Sequence, residues 1–152
     1  MLVVLADQLS KRYVEENVPV NAARPVIGDS LRVLHLRNYG SAMGLFQGRN
    51  RTHIALALAG LGGALSGFFA AERRGGKGLY PLSFALLVGG GLGNLISRLR
   101  CKYVTDFIQI RTKTLRNLPV FNIADIAVVL GSALFAAAEA GRGGREFLKR
   151  KK

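Results

Sequence analysis

Three long apolar runs divide the chain. Thr52–Ala71 contains no charged residue across 20 positions, Leu79–Ile96 contains none across 18, and Val120–Ala138 contains Asp125 alone. A helix of about 20 residues crosses roughly 30 Å of hydrocarbon. Each run is therefore predicted to be a membrane-spanning helix.

A fourth helix is predicted at the start of the chain, over residues 1–16. The apolar residues ahead of Asp7, Met1–Ala6, extend only about 9 Å along the helix axis, so the predicted helix is too short to cross the membrane. We expect further apolar residues ahead of Met1 in the functional protein, or a helix that enters the bilayer partway. Asp7 and Lys11 share a helix face, either as a surface ion pair or as charges at the outer end of a membrane helix.

The polar connections between the helices carry two strand-like patterns. Ser30–Arg37 partly alternates polar and apolar residues, and Tyr103–Arg111 has a similar pattern, so both are predicted to be short strands. Asn17–Pro25 is predicted to be a loop because prolines interrupt it. The whole chain, 1–152, is predicted to be one membrane domain with helices at 1–16, 52–71, 79–97 and 121–140.

The charge of the chain favours a membrane partner over nucleic acid. The formal net charge is +13, but the basic residues lie between the apolar runs and form no helical face with interleaved aromatics. Anionic lipid is the expected counterion. Cys101 is the only cysteine, which excludes an intrachain disulfide and a multi-cysteine metal site.

The distribution of basic residues indicates an orientation. Gly141–Lys152 contains six Lys or Arg residues, and such a polybasic tail is normally cytoplasmic. Four crossings then place the turn Glu72–Gly78 on the cytoplasmic side. The connections that carry Asn38 and Asp106 fall on the outer side.

A carboxylate at the mouth of an apolar helix points to function. Asp125 costs about 2.5–3.5 kcal/mol near a bilayer core on insertion scales, so it is expected to face other helices or a water-filled cavity. Asp106 is its best candidate partner. Two carboxylates in a low-dielectric site share a proton, so that one activates water while the other protonates the departing group, as in aspartic proteases. Metal-assisted hydrolysis is disfavoured, because two carboxylates without histidine make a poor zinc site.

Five short motifs, in order along most of the chain, resemble those of the bacterial lipoprotein signal peptidases, also called signal peptidase II. Each motif alone is weak, but five in order on a four-helix pattern are specific. They are Asp7-Gln8-x-x-Lys11, Asn38-x-Gly40-x-Ala42, Gly93-Asn94-x-x-x-Arg98, Val104-x-Asp106-Phe107-Ile108 and Phe121-Asn122-x-Ala124-Asp125.

The resemblance implies an aspartyl endopeptidase of the bacterial inner membrane. It would remove the signal peptide from diacylglyceryl-modified prolipoproteins, cutting before the lipidated cysteine, with its active site near the periplasmic face. Asp106 and Asp125 would be the catalytic pair. The fold would be an all-α membrane protein of four transmembrane helices, with a small β-rich element on the outer face. Substrate-binding or supporting roles would fall to Asn38, Asn94, Arg98, Asn122, Asp7 and Lys11.

We expect a monomer that contacts membrane lipid and lipidated prolipoproteins, with no cofactor, metal or nucleic acid. Three features depart from the family: Ser97 replaces a common acidic residue, Met43 replaces a common aromatic residue, and the first helix is short. Two alternatives stay open. A proton-coupled transporter would use the acid pair to carry protons, and a non-enzymatic assembly protein would pack through its glycines.

Overall fold

The computed structural model describes residues 1–40, 47–111 and 118–150, with side chains omitted from 144–150. Met43 and most of the basic loop after Arg111 lie outside these ranges. The described chain contains four helices and three strands: α1 (Leu2–Asn17), β1 (Ala23–Ile27), β2 (Leu31–Asn38), α2 (Asn50–Arg73), α3 (Leu79–Cys101), β3 (Val104–Ile110) and α4 (Ile123–Arg150).

Three helices of the described chain are long and apolar enough to cross a membrane: α2, α3 and the part of α4 over Ile123–Gly143. These are the three spans predicted from the sequence. α1 has 16 residues, fewer than the roughly 20 that a perpendicular crossing needs. A fourth crossing therefore remains a prediction.

A small antiparallel sheet has the strand order β1-β2-β3. Both predicted strands are confirmed, as β2 and β3, but the predicted loop over Asn17–Pro25 is wrong at its end, where β1 begins. Pro25 lies in this strand, and proline is tolerated at an edge because an edge strand can leave donor positions unpaired. β1 is exposed along its whole length.

The sheet is joined to the beginning of α4. Phe121, just before the helix, accepts hydrogen bonds from the backbone N–H groups of Phe107 and Ile108, at N···O distances of 3.1 and 2.7 Å. Leu36 pairs with Asp106 across β2 and β3. The strand that carries Asp106 is thus held beside the helix that carries Asp125.

α3 lies at the centre of the helices and packs against α1, α2 and α4. Two of its glycines permit these approaches. A Cβ at Gly93 would lie 2.7 Å from the Asp7 carboxylate of α1, and one at Gly90 would lie 2.5 Å from the Ala124 carbonyl of α4. Larger residues at either position would push the site-bearing helices apart.

Candidate active site

The first turn of α4 carries a reciprocal cap. The Asn122 side-chain oxygen accepts the backbone N–H of Asp125 at 2.9 Å, and the Asp125 carboxylate accepts the backbone N–H of Asn122 at 3.1 Å. This is the geometry of a capping box, in which two side chains satisfy the unpaired donors at a helix start. Asp125 is consequently held at the mouth of the helix, with partial exposure.

Asp106 lies almost fully buried in β3, with 2% exposure. Its two carboxylate oxygens accept hydrogen bonds from the side-chain amides of Asn38, at 2.8 Å, and Asn122, at 2.7 Å. Burial raises the pKa of Asp106 to about 6, and the negative charge of Asp125 raises this pKa as well, whereas the two amides lower it. The net effect extends the protonated form of Asp106 to a higher pH than is usual for a carboxylic acid.

Asn94 of α3 connects the acid pair to α1. Its amide nitrogen donates to the Asp125 carboxylate at 2.8 Å. Its side-chain oxygen accepts hydrogen bonds from Lys11, at 2.9 Å, and from the Asn122 amide, at 3.2 Å. This one side chain therefore fixes the orientations of Asp125 and Asn122 and also binds the buried ammonium group of Lys11.

Asp7 and Lys11 form a buried ion pair with an N···O distance of 2.8 Å and side-chain exposures of 0% and 4%. The other Asp7 oxygen accepts the backbone N–H of Ala124 at 2.9 Å, in the first turn of α4. A carboxylate at this position interacts favourably with the helix dipole and with an unpaired N–H group. Of the two interpretations left by the sequence, the surface ion pair is wrong.

Arg98 is 8% exposed near the end of α3. One terminal nitrogen donates to the Gly40 carbonyl at 2.6 Å. The other is buried and has no hydrogen-bond partner within the described ranges. The guanidinium also interacts electrostatically with Asp106 and Asp125. It is thus a positive group beside the acid pair with a donor available for a further acceptor.

The structure brings the eight predicted site residues into one cluster. Sequence reasoning gave no role to Gln8, which donates to the Gly93 carbonyl at 3.0 Å, or to Asn50, which donates to the Arg98 carbonyl at 3.1 Å. No sequence signal distinguished Asn50 from an ordinary residue at a helix start. Ser97 contacts Gln8 and Gly93 through its hydroxyl, so it faces α1 and not the Arg98 guanidinium.

The chain is similar to known proteins over most of its length. A family model described as signal peptidase (SPase) II matches residues 1–140. The lipoprotein signal peptidase of Moorella thermoacetica is 38% identical over 151 residues, covering 96% of this chain and 95% of that protein. The lipoprotein signal peptidase of Halothermothrix orenii is 36% identical over 134 residues, covering 88% and 87%.

A solved structure of a bacterial membrane enzyme, determined by the in meso method at 2.3 Å resolution, superimposes with a TM-score of 0.80. It is 28% identical, and the match covers 95% of this chain and 86% of that one. With its apolar helices, the chain is therefore a multi-pass membrane protein. None of these similarities supports the transporter alternative. The resemblance seen in the sequence motifs is confirmed, and the chain belongs to the signal peptidase II family of aspartic peptidases.

Proposed function

We propose that this protein removes the signal peptide from diacylglyceryl-modified prolipoproteins, cutting before the lipidated cysteine, with Asp106 and Asp125 as the catalytic pair. Membership of the family supports the activity. The observation that carries the assignment of the pair is their shared partner, Asn122, which hydrogen-bonds both carboxylates. Two acids held on one residue are placed to exchange a proton through a bound substrate.

The environments of the two acids suggest different roles. Burial raises the pKa of Asp106 to about 6, so we assign Asp106 as the initial acid, which leaves the role of base to Asp125. Water attacks the scissile carbonyl carbon while Asp125 takes a proton from that water. Asp106 protonates the carbonyl oxygen. The tetrahedral intermediate then collapses: one of its hydroxyl groups returns a proton to Asp106 as the carbonyl re-forms, the C–N bond breaks, and the leaving nitrogen takes the proton held by Asp125.

Arg98 is positioned to hold the substrate backbone. Its first terminal nitrogen is fixed by the Gly40 carbonyl, and its second has no partner in the described part of the chain. A substrate carbonyl would satisfy that buried donor and its charge, since an unpaired buried polar group is costly. Asn38 is anchored in a similar way, because its side-chain oxygen accepts the Gly40 N–H at 2.9 Å while its amide holds Asp106.

The direct experiment compares a lipidated prolipoprotein with its unlipidated twin, using purified protein in detergent. Shortening of the lipidated substrate alone is expected. Asp106→Asn and Asp125→Asn should each abolish cleavage, and the double variant should be no worse, because groups that act as one unit do not add. Asp29→Asn, at an exposed surface position, is the control that should retain activity. Substantial cleavage by Asp125→Asn would exclude the two-carboxylate mechanism.

The topology proposed with this function has four crossings in the bacterial inner membrane, with the site at the periplasmic face. It is supported by the three apolar spans and the basic tail. In a background lacking Cys101, cysteines at Gly75 and Thr114 can be tested with an impermeant maleimide applied from outside. Position 114 should be labelled and position 75 protected. The opposite pattern would place the site on the wrong face for exported substrates.

A further inference from the structure

A cavity lies at the opposite end of the helices from the acid pair. Its volume is about 800 Å³, within the range of about 300–1,000 Å³ typical of ligand pockets. It is formed by the turn between α2 and α3 and by the later part of α4. Glu139, which lines it, follows Asp125 by 14 residues, or about 21 Å along the helix. The cavity is therefore separate from the candidate active site.

The polar lining of this cavity is mainly basic. Among the residues whose side chains are described, Arg74, Lys77 and Arg142 line it, together with one carboxylate, Glu139. Glu139 already has two partners, since the Tyr80 hydroxyl donates to one oxygen and Arg142 to the other, both at 2.8 Å. The charge of this carboxylate is thus largely taken up by Arg142.

Arg74 and Lys77 are the cations that remain for a ligand. Within the residues that the structure describes, neither side chain makes a hydrogen bond or a close ion pair, although Arg74 interacts electrostatically with Glu139. Both residues are exposed. The cavity therefore presents two accessible positive charges from one short turn and attracts an anion.

The position of the cavity indicates what kind of anion would reach it. Arg74 directly follows α2 and Lys77 precedes α3 by two residues, so the basic turn joins two apolar spans and lies at the level of lipid headgroups. The rest of the lining includes the apolar side chains of Ala71, Leu79 and Ala138. A ligand with a charged head and an apolar body fits this combination.

We propose that the cavity binds the phosphate group of an anionic phospholipid through Arg74 and Lys77. The same two cations would repel the quaternary ammonium of a zwitterionic choline headgroup, so lipids with a net negative charge are preferred. The basic segment of a signal peptide is disfavoured for the same reason. This lipid site does not depend on the proposed peptidase activity, because it uses none of the catalytic groups.

The test measures lipid binding to the purified full chain in detergent by native mass spectrometry. The probes are phosphatidylglycerol, phosphatidylcholine with the same acyl chains, and inorganic phosphate as a competitor. Each Lys or Arg near an anionic surface contributes about fivefold in affinity. Arg74→Gln/Lys77→Gln should therefore weaken phosphatidylglycerol binding by about 25-fold and leave phosphatidylcholine unchanged.

Two variants make the result specific. Arg73→Gln removes a neighbouring charge that does not line the cavity, and it should change the affinity by less than about threefold. Glu139→Gln removes a competing carboxylate from the lining and should strengthen phosphatidylglycerol binding, by up to about fivefold. Retained cleavage of lipidated prolipoprotein by all variants would show that they are folded, and a thermal unfolding midpoint equal to that of the parent would show the same without relying on that activity.

Three outcomes would overturn the proposal. Equal loss in Arg73→Gln and Arg74→Gln/Lys77→Gln would indicate diffuse surface attraction. Displacement of phosphatidylglycerol by millimolar inorganic phosphate would indicate a site for the free anion. Equal binding of the two lipids would show that headgroup charge is not recognised.

Discussion

Asp106→Asn should stabilise the protein, and the gain should grow with pH. Burial raises the pKa of Asp106 from 3.8 to about 6, so the folded state holds this proton more tightly than the unfolded chain does. Stability is consequently lost as pH rises from about 4 to about 6, and the loss persists above that range. An asparagine has no proton to lose and escapes this penalty.

The size of the penalty follows from the shift of about two pKa units. At about 1.4 kcal/mol per unit, ionising Asp106 costs the folded state about 1 kcal/mol at pH 4.5 and about 3 kcal/mol at pH 8. The substitution also has a cost of its own. Asn38 and Asn122 both donate to Asp106, and an asparagine offers one acceptor oxygen, so one hydrogen bond worth about 1 kcal/mol is lost.

Asp106→Asn should therefore leave the free energy of unfolding nearly unchanged at pH 4.5 and raise it by about 2 kcal/mol at pH 8. For a chain of this size that corresponds to a rise in Tm of about 4–8 °C at the higher pH. Thermal unfolding in one detergent at both pH values measures it. Asp29→Asn is the control, since Asp29 is 92% exposed and should show no such pH-dependent gain. An Asp106→Asn variant less stable than the parent at pH 8 would refute the reasoning.

Three further outcomes follow from the same network. The kcat/KM for a lipidated peptide should fall as pH rises above about 6, because Asp106 acts in its protonated form; a flat profile from pH 5 to 8 would contradict this role. Asn38→Ala should move that decline in kcat/KM to higher pH, since the hydrogen bond from Asn38 lowers the pKa of Asp106. A decline at the same or a lower pH than in the parent would contradict this prediction. Lys11→Met should lower the free energy of unfolding by about 3–5 kcal/mol, because Asp7 would stay buried without its partner. Arg12→Met removes a charge from an exposed pair and should lower it by less than about 1 kcal/mol. Chemical unfolding measures both values, and equal losses would contradict the prediction.

The parts of the fold that could be predicted are those set by long uniform patterns. The three apolar runs were recognisable because crossing a bilayer requires about 20 apolar residues, whatever the neighbouring chain does. β1 was missed because prolines in a short polar stretch normally mark a loop. Its edge position depends on pairing with β2, in which Ala23 lies opposite Leu34, 11 residues further along the chain. Strand pairing of that kind is a tertiary property.

The candidate site was predictable as a set of residues but not as a geometry. Three-residue spacing placed Asn122 and Asp125 on one helix face, yet the predicted helix began at residue 121. The observed start at Ile123 makes Asn122 the cap and turns the same spacing into a capping box. Asp7 could not be assigned to the start of α4, because 117 residues separate it from Ala124 and only the close approach at Gly93 brings them together.

The charges of the cluster explain why one of its carboxylates, Asp106, tends to hold a proton. Lys11 and Arg98 supply two positive charges, and Asp7 and Asp125 supply two negative charges when both are ionised. A third carboxylate, Asp106, is almost fully buried among them. If Asp106 is protonated the charges cancel, whereas its ionisation leaves an unbalanced negative charge in a region of low dielectric, which is unfavourable. Below a pH of about 6, Asp106 therefore holds its proton, and one proton on the acid pair is the state that aspartyl peptide hydrolysis requires at the start of each cycle.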